Sequence, residues 1–60
     1  MRPETLKQIQ ESIKKAEEKL KELAEDIEKA KRAGIDVSES EKLYRELLRK
    51  VTLLKGVYMR

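Results

Sequence analysis

The stretch AGIDVSESE, residues 33–41, decides the fold, because it interrupts a sequence that otherwise has the charge and apolar periodicity of long helices. Gly34 is the residue expected in the left-handed conformation just past a helix end. Ile35 follows it, and in a Schellman closure it would pack back on Ala30. The stretch therefore predicts that a first helix ends at about residue 33.

The second half of the same stretch predicts the start of a new helix. Ser38 and Glu41 have the spacing of a capping box, in which each side chain accepts a hydrogen bond from the backbone amide of the other. A connection this short usually joins antiparallel neighbours. We therefore predict a single all-α domain over residues 1–60, a coiled-coil-like antiparallel two-helix hairpin with helices at about 3–33 and 39–58 and a turn at 34–38.

The first helix carries an unbroken heptad pattern. Its apolar residues alternate gaps of three and four, with Leu6, Ile13, Leu20 and Ile27 at position a and Ile9, Ala16, Leu23 and Ala30 at position d. Such spacing indicates a helix packed along its length at a shallow angle. Two signals mark its start: Pro3, which suits the first turn, and Thr5 with Gln8 as a capping box.

The charged residues of the first helix indicate a solvated face. Acids precede bases by four residues in the pairs Glu11–Lys15, Glu17–Lys21, Glu25–Lys29 and Glu28–Arg32. Each such pair stabilises a helix by only about 0.2–0.5 kcal/mol. Acid/base catalysis or a di-metal centre would need carboxylates on the inward seam, and positions a and d hold none.

The second helix has a wider apolar face than the first. Tyr44, Val51 and Tyr58 fall at a and Leu47 and Leu54 at d, while further apolar residues flank them at e and g, namely Leu43, Leu48 and Val57. One partner helix covers an a/d seam only, whereas a face that spans g, a, d and e belongs in a bundle of three or four helices. This width predicts a partner.

The unequal lengths of the helices also favour a partner. About 30 residues span roughly 45 Å and about 20 span roughly 30 Å. Leu6 and Ile9 are therefore expected to overhang without cover from their own chain. A symmetric dimer of hairpins, forming a four-helix bundle, would cover both the overhang and the wide face.

These patterns predict a non-enzymatic oligomerisation or protein-interaction module that forms a homo-oligomer, with a dimer favoured. The residues expected at the oligomer interface share apolar character and a position on the inward faces: Leu6, Ile9, Ile13, Leu20, Leu23, Ile27, Tyr44, Leu47, Leu48, Val51, Leu54, Val57 and Tyr58. An alternative is a designed or excised helical fragment without an independent function.

A second functional hypothesis comes from the basic charge of the second helix. Residues 42–60 hold six bases against the single acid Glu46, a net charge of +5. Lys42, Arg45, Arg49 and Lys50 are the candidate contacts to nucleic acid or to an acidic protein surface. A solvated face, partly neutralised by acids of the first helix, is the simpler interpretation of these charges.

The composition narrows the remaining classes. The chain has no cysteine, histidine or tryptophan, which excludes disulfides, thiolate or imidazole metal sites and nucleophiles paired with histidine. We expect no cofactor and no small-molecule substrate. No apolar run approaches the roughly 20 residues of a membrane span, so we also expect no membrane partner and a cytoplasmic location. Its 45% charged residues, rich in Lys and Glu, are typical of thermostable and of designed helices.

Overall fold

The computed structural model describes residues 1–59 and contains two antiparallel helices, α1 over Pro3–Arg32 and α2 over Ser38–Tyr58. The predicted all-α hairpin is confirmed. The N-terminal boundary of α1 coincides with Pro3, so this signal marks the start. The residue before it, Arg2, makes no side-chain capping bond, and its carbonyl accepts the Leu6 amide at 3.0 Å.

The end of α1 has the predicted Schellman geometry. Gly34 has φ of +78°, the Gly34 amide donates to the Lys31 carbonyl at 3.0 Å, and the Ile35 amide donates to the Ala30 carbonyl at 3.0 Å. The side chain of Ile35 nevertheless stays 59% exposed. Backbone hydrogen bonds, with little burial of Ile35, therefore close this helix.

The predicted capping box between Ser38 and Glu41 is wrong. Asp36 competes for the serine: its Oδ1 accepts the Ser38 hydroxyl at 2.6 Å and the Ser38 amide at 3.0 Å. The Glu41 amide bonds instead to the Val37 carbonyl at 2.8 Å, and the Glu41 carboxylate accepts Lys31 Nζ at 3.5 Å. An aspartate two residues before Ser38, the first residue of α2, thus starts the helix in an Asx-type turn.

The Asp36 turn gives the hairpin a specific pH dependence. The two hydrogen bonds from Ser38 lower the pKa of Asp36 below its ordinary value of 3.8. A lowered folded-state pKa means that the ionised carboxylate stabilises the fold above pH 3.8 and that this contribution is lost as the pH falls through the folded-state pKa. We expect Asp36→Ala to be less stable than the wild type at neutral pH, with a difference that shrinks in acid.

Urea unfolding followed by circular dichroism, at about pH 7 and about pH 2, measures this difference. Asp36→Asn is the matched control, because its amide oxygen still accepts both hydrogen bonds without a titrating charge. A stability gap between wild type and Asp36→Ala that is the same at both pH values would contradict the role of the ionised carboxylate.

The core lies between the helices. Ile13, Leu20 and Val51 are 2%, 6% and 8% exposed and form one cluster. The half-buried residues packed against it are Ile9, Ala16, Tyr44, Tyr58 and Met59. Ile27 at 9% and Val37 at 8% are also buried. The a positions from Ile13 to Ile27 are thus confirmed as inward-facing. The burial of Val37 was not predicted from the sequence.

The overhang of α1 is smaller than expected. Ile9 packs against the core cluster and is half-buried, so the expectation that its own chain leaves it uncovered was wrong. The reason is that Tyr58 and Met59, at the end of α2, pack against the same cluster, and the Tyr58 carbonyl accepts the Gln10 side-chain amide at 2.8 Å. Leu6 remains 36% exposed.

Two ion pairs join the helices and mark their register. Lys55 Nζ lies 2.9 Å from Glu17 Oε2, and Lys31 Nζ lies 3.5 Å from Glu41 Oε2. Glu17 therefore pairs across the hairpin and not with Lys21, as the helical spacing suggested. Four ion pairs were expected within α1. Among the described residues, only one of these four is within ion-pair distance, Glu28–Arg32 at 3.8 Å. All of these pairs are solvent-exposed, so they contribute little stability.

Candidate interaction surfaces

The predicted interface residues divide into three groups. Four are buried inside the single hairpin and have little surface left for a partner: Ile13, Leu20, Ile27 and Val51. Four are half-buried: Ile9, Leu23, Tyr44 and Tyr58. Five are exposed, at 36% to 63%: Leu6, Leu47, Leu48, Leu54 and Val57. Only the exposed and half-buried groups offer apolar surface to another molecule.

A row of exposed apolar residues lies along one flank of α2. We call Leu43, Leu47, Leu54 and Val57 the leucine flank, since their spacing of three, four and seven residues places them on one side of the helix. Their exposed fractions are 51%, 37%, 44% and 63%. Leu43 was missing from the predicted interface, although its g position had identified it as part of the wide apolar face.

Two shallow grooves run between the leucine flank and α1. One, of about 420 Å³, is lined by apolar residues with a single charged one, Lys19: Ala16, Leu20, Leu23, Leu47 and Val51. The other, of about 260 Å³, continues toward the N-terminus and is lined by uncharged residues: Thr5, Gln8, Ile9, Ser12, Ile13, Ala16, Val51 and Leu54. This side of the hairpin is therefore apolar over most of its length.

The opposite side of the hairpin is different in character. Leu48 is 42% exposed there, but the groove beside it, of about 330 Å³, also contains Glu17, Lys21, Thr52 and Lys55. The Glu17–Lys55 ion pair spans the helices on this side, and Thr52 Oγ1 donates to the Leu48 carbonyl at 2.7 Å. Charged side chains thus line the groove on the Leu48 side.

The four predicted basic contacts are all exposed on α2, but they do not share one stripe. Helical geometry places Lys42, Arg45 and Arg49 on the face opposite Val51, and hence away from α1. Lys50 lies three residues after Leu47 and four before Leu54, so it belongs to the leucine flank. We call the first three residues the basic stripe.

The basic stripe is not neutralised internally. Within residues 1–59, none of Lys42, Arg45, Arg49 and Lys50 forms an ion pair, and Glu46, the acid expected beside them, is not within ion-pair distance of Arg49 or Lys50. One acid of α1, Glu17, pairs with Lys55 instead. Tyr44 and Tyr58 face the core, as predicted, and so lie apart from this stripe.

The part of the chain that the structure describes contains no cluster of three or more side chains suited to a metal ion. Over the same residues, neither α1 nor α2 is both long and apolar enough to cross a membrane.

Comparison with known proteins gives no relative from which a role can be carried over. The chain shows no significant similarity to any known protein family, to curated proteins or to solved structures.

Proposed function

We propose that the chain is a non-enzymatic oligomerisation module, a helical hairpin that associates with a second copy of itself into a four-helix bundle. The observation that carries this proposal is the amount of surface that one hairpin leaves exposed. Its accessible area is 5282 Å². A compact monomer of 7.1 kDa would expose about 4,100 Å².

The shape of the hairpin explains this excess of about 1,200 Å². The chain measures 48 × 15 × 14 Å with a radius of gyration of 14.3 Å. A compact domain of 60 residues has a radius of gyration of about 10 Å. A stable interface buries roughly 800 Å² on each partner. One such interface would therefore remove most of the excess, and it would cover exposed leucines that a lone hairpin leaves in water.

Mass in solution tests this function. Sedimentation equilibrium should give twice the chain mass of 7.1 kDa at high concentration, with dissociation on dilution. The midpoint of thermal unfolding should also rise with protein concentration, because association stabilises the folded chain by mass action. A mass of 7.1 kDa over a wide concentration range would show a monomer and contradict the proposal.

A second candidate function, binding of nucleic acid, is favoured by the unpaired basic stripe. An acidic protein surface would use the same side chains. For nucleic acid, the affinity should fall steeply with salt, since each neutralised phosphate releases condensed counterions. Arg45→Ala with Arg49→Ala should reduce the slope of log K against log salt by roughly 1.8, at about 0.9 for each lost phosphate contact on duplex DNA.

The matched control for this pair is Lys14→Ala with Lys15→Ala on α1, which removes the same charge from exposed positions outside the stripe. We expect this control to leave the slope nearly unchanged. Fluorescence anisotropy with mixed-sequence DNA and RNA measures both slopes. If the two double variants reduce the slope equally, the attraction depends on net charge and is not specific to the basic stripe. If no binding is seen at low salt, the hypothesis is wrong.

A further inference from the structure

We propose that the second copy docks on the leucine flank, and that the leucine flank of each copy packs along α1 of the other. The proposal rests on the proposed function, because it assigns the face through which the dimer forms. The hairpin has two long sides on which a partner can lie. They differ enough in chemistry for one side to be favoured.

The charged residues decide between the two sides. On the Leu48 side, Glu17 and Lys55 approach to 2.9 Å, and a partner lying there would have to desolvate this pair. On the other side, the grooves beside Leu47 and Leu54 contain Lys19 as their one charged residue. Lys50 also lies on the leucine flank, and long side chains such as Lys19 and Lys50 can bury their methylenes and keep their ammonium groups in water. The leucine flank is therefore the side that a partner can cover at lower cost.

The area of this side fits a second copy. A face of 48 × 15 Å gives a footprint of roughly 700 Å², close to the roughly 800 Å² that each partner contributes to a standard interface. A hairpin of the same length covers this face from end to end, whereas a shorter partner leaves part of the leucine flank exposed. Length thus favours a second copy over an unrelated short peptide.

The register of the hairpin shows what the leucine flank would meet. The Glu17–Lys55 and Lys31–Glu41 pairs place each residue of α2 level with a known part of α1. Leu43 is then level with Ala30 to within about one residue, and Leu54 is level with Ala16 to within about two residues, or roughly 3 Å. In a dimer whose two-fold axis is parallel to the helices, each residue of the second copy lies at the same height along the axis as in the first. The large residues of one copy would consequently face the small ones of the other.

Charge complementarity favours the same arrangement. Asp26 lies three residues after Leu23 and four before Ala30, on the flank of α1 that faces this side, and it forms no ion pair within the described chain. Lys50 of the second copy would lie about four residues, or roughly 6 Å, from the level of Asp26, within reach of a lysine side chain. The reverse arrangement, α2 against α2, would bring the two Lys50 ammonium groups together at its centre, where like charges repel.

Leu54 and Leu48 offer a matched pair of test positions, since they are 44% and 42% exposed on opposite sides of α2. Leu54→Glu should raise the dimer dissociation constant by at least about 100-fold, because it places a carboxylate in an apolar interface. Leu48→Glu should change it by less than about threefold, the range of an exposed surface change. Sedimentation equilibrium measures both, and circular dichroism checks that both variants stay helical.

The outcomes separate the face from the function. If the wild type is a dimer and Leu48→Glu dissociates it, the assigned face is wrong although the chain self-associates. The same conclusion holds if Leu54→Glu leaves the dimer intact. A wild type that is monomeric overturns the proposed function and this face together. Should Leu54→Glu prove unfolded, cross-linking of folded chains replaces it.

The sequence holds no cysteine, so single introduced thiols give a clean cross-linking test. Ala30→Cys and Leu43→Cys, made on separate chains and mixed, should form a mixed disulfide dimer in excess over either homodimer, because only close Cα atoms can be bridged. Mass spectrometry under mild oxidation measures the three products. Rapid disulfide formation by Lys50→Cys with itself would instead show α2 against α2 and would overturn the arrangement.

Discussion

Replacing Ile13 with alanine should lower the free energy of unfolding by about 2–5 kcal/mol. Ile13 is 2% exposed and is one of the three residues of the central cluster, with Leu20 and Val51. Removing its side chain loses the transfer free energy of the buried methylene and methyl groups and leaves a cavity. A core this small has few neighbours that can move in to refill the space.

The consequence is large because small domains are marginally stable. At about 0.05–0.15 kcal/mol for each residue, a chain of this size has roughly 3–9 kcal/mol in total. A loss of 2–5 kcal/mol should lower the melting temperature by at least about 8 °C, since each 1 kcal/mol shifts a domain of this size by about 4–8 °C. Thermal and urea unfolding, at one fixed protein concentration, measure both quantities.

Ile35→Ala is the matched control. It makes the same chemical change at a side chain that is 59% exposed, where surface substitutions usually stay within about 0.5 kcal/mol. Similar losses for Ile13→Ala and Ile35→Ala would contradict the placement of the core. They would show that association, or packing of the loop, contributes as much as the centre of the hairpin.

Local sequence signals predicted the helices and the end of α1. The seam of Ile13, Leu20 and Ile27 repeats regularly, and regular spacing is the strongest signal that a sequence gives for a packed helix. Gly34 marks a backbone conformation that few other residues adopt. Each of these features depends on residues close together in the chain, so it can be recognised without the rest of the structure.

The start of α2 was predicted less well, because several side chains compete there for the same groups. Ser38 can accept a bond from Glu41 or donate one to Asp36, and the structure contains the second arrangement. The spacing of the residues allows both. Similarly, Ile35 and Val37 are both apolar residues of one short connection, and only the path of the backbone decides that Val37 is the buried one.

Which apolar residues of the seam stay exposed in the single hairpin was the hardest part to predict, for a physical reason. A heptad pattern identifies residues that face another helix, but it is the same whether that helix belongs to the same chain or to another. Val51 and Leu54 therefore looked equivalent in the sequence, although one is 8% and the other 44% exposed. The Glu17–Lys55 pair, which distinguishes the two sides of the hairpin, joins residues 38 positions apart. No local pattern contains that information.

The two glycines should respond in opposite directions to the same substitution. Gly34→Ala should destabilise the hairpin by about 1–2 kcal/mol, because φ of +78° brings a Cβ too close to the following carbonyl. Gly56 lies inside α2, where alanine is favoured over glycine by about 0.8–1.0 kcal/mol. Gly56→Ala should therefore stabilise it.

Contacts with the rest of the protein are not a factor at either position, since a Cβ built on Gly34 or on Gly56 has no atom within 4 Å apart from those of the glycine, its chain neighbours and the local helix backbone. The two variants thus compare backbone conformation alone, and urea unfolding should separate them by about 2–3 kcal/mol. If Gly34→Ala is neutral, the chain does not need a left-handed residue to end α1, and the turn that sets the register of the whole hairpin must be held by other contacts. If Gly56→Ala destabilises the protein, helix propensity does not govern this position and the prediction is wrong.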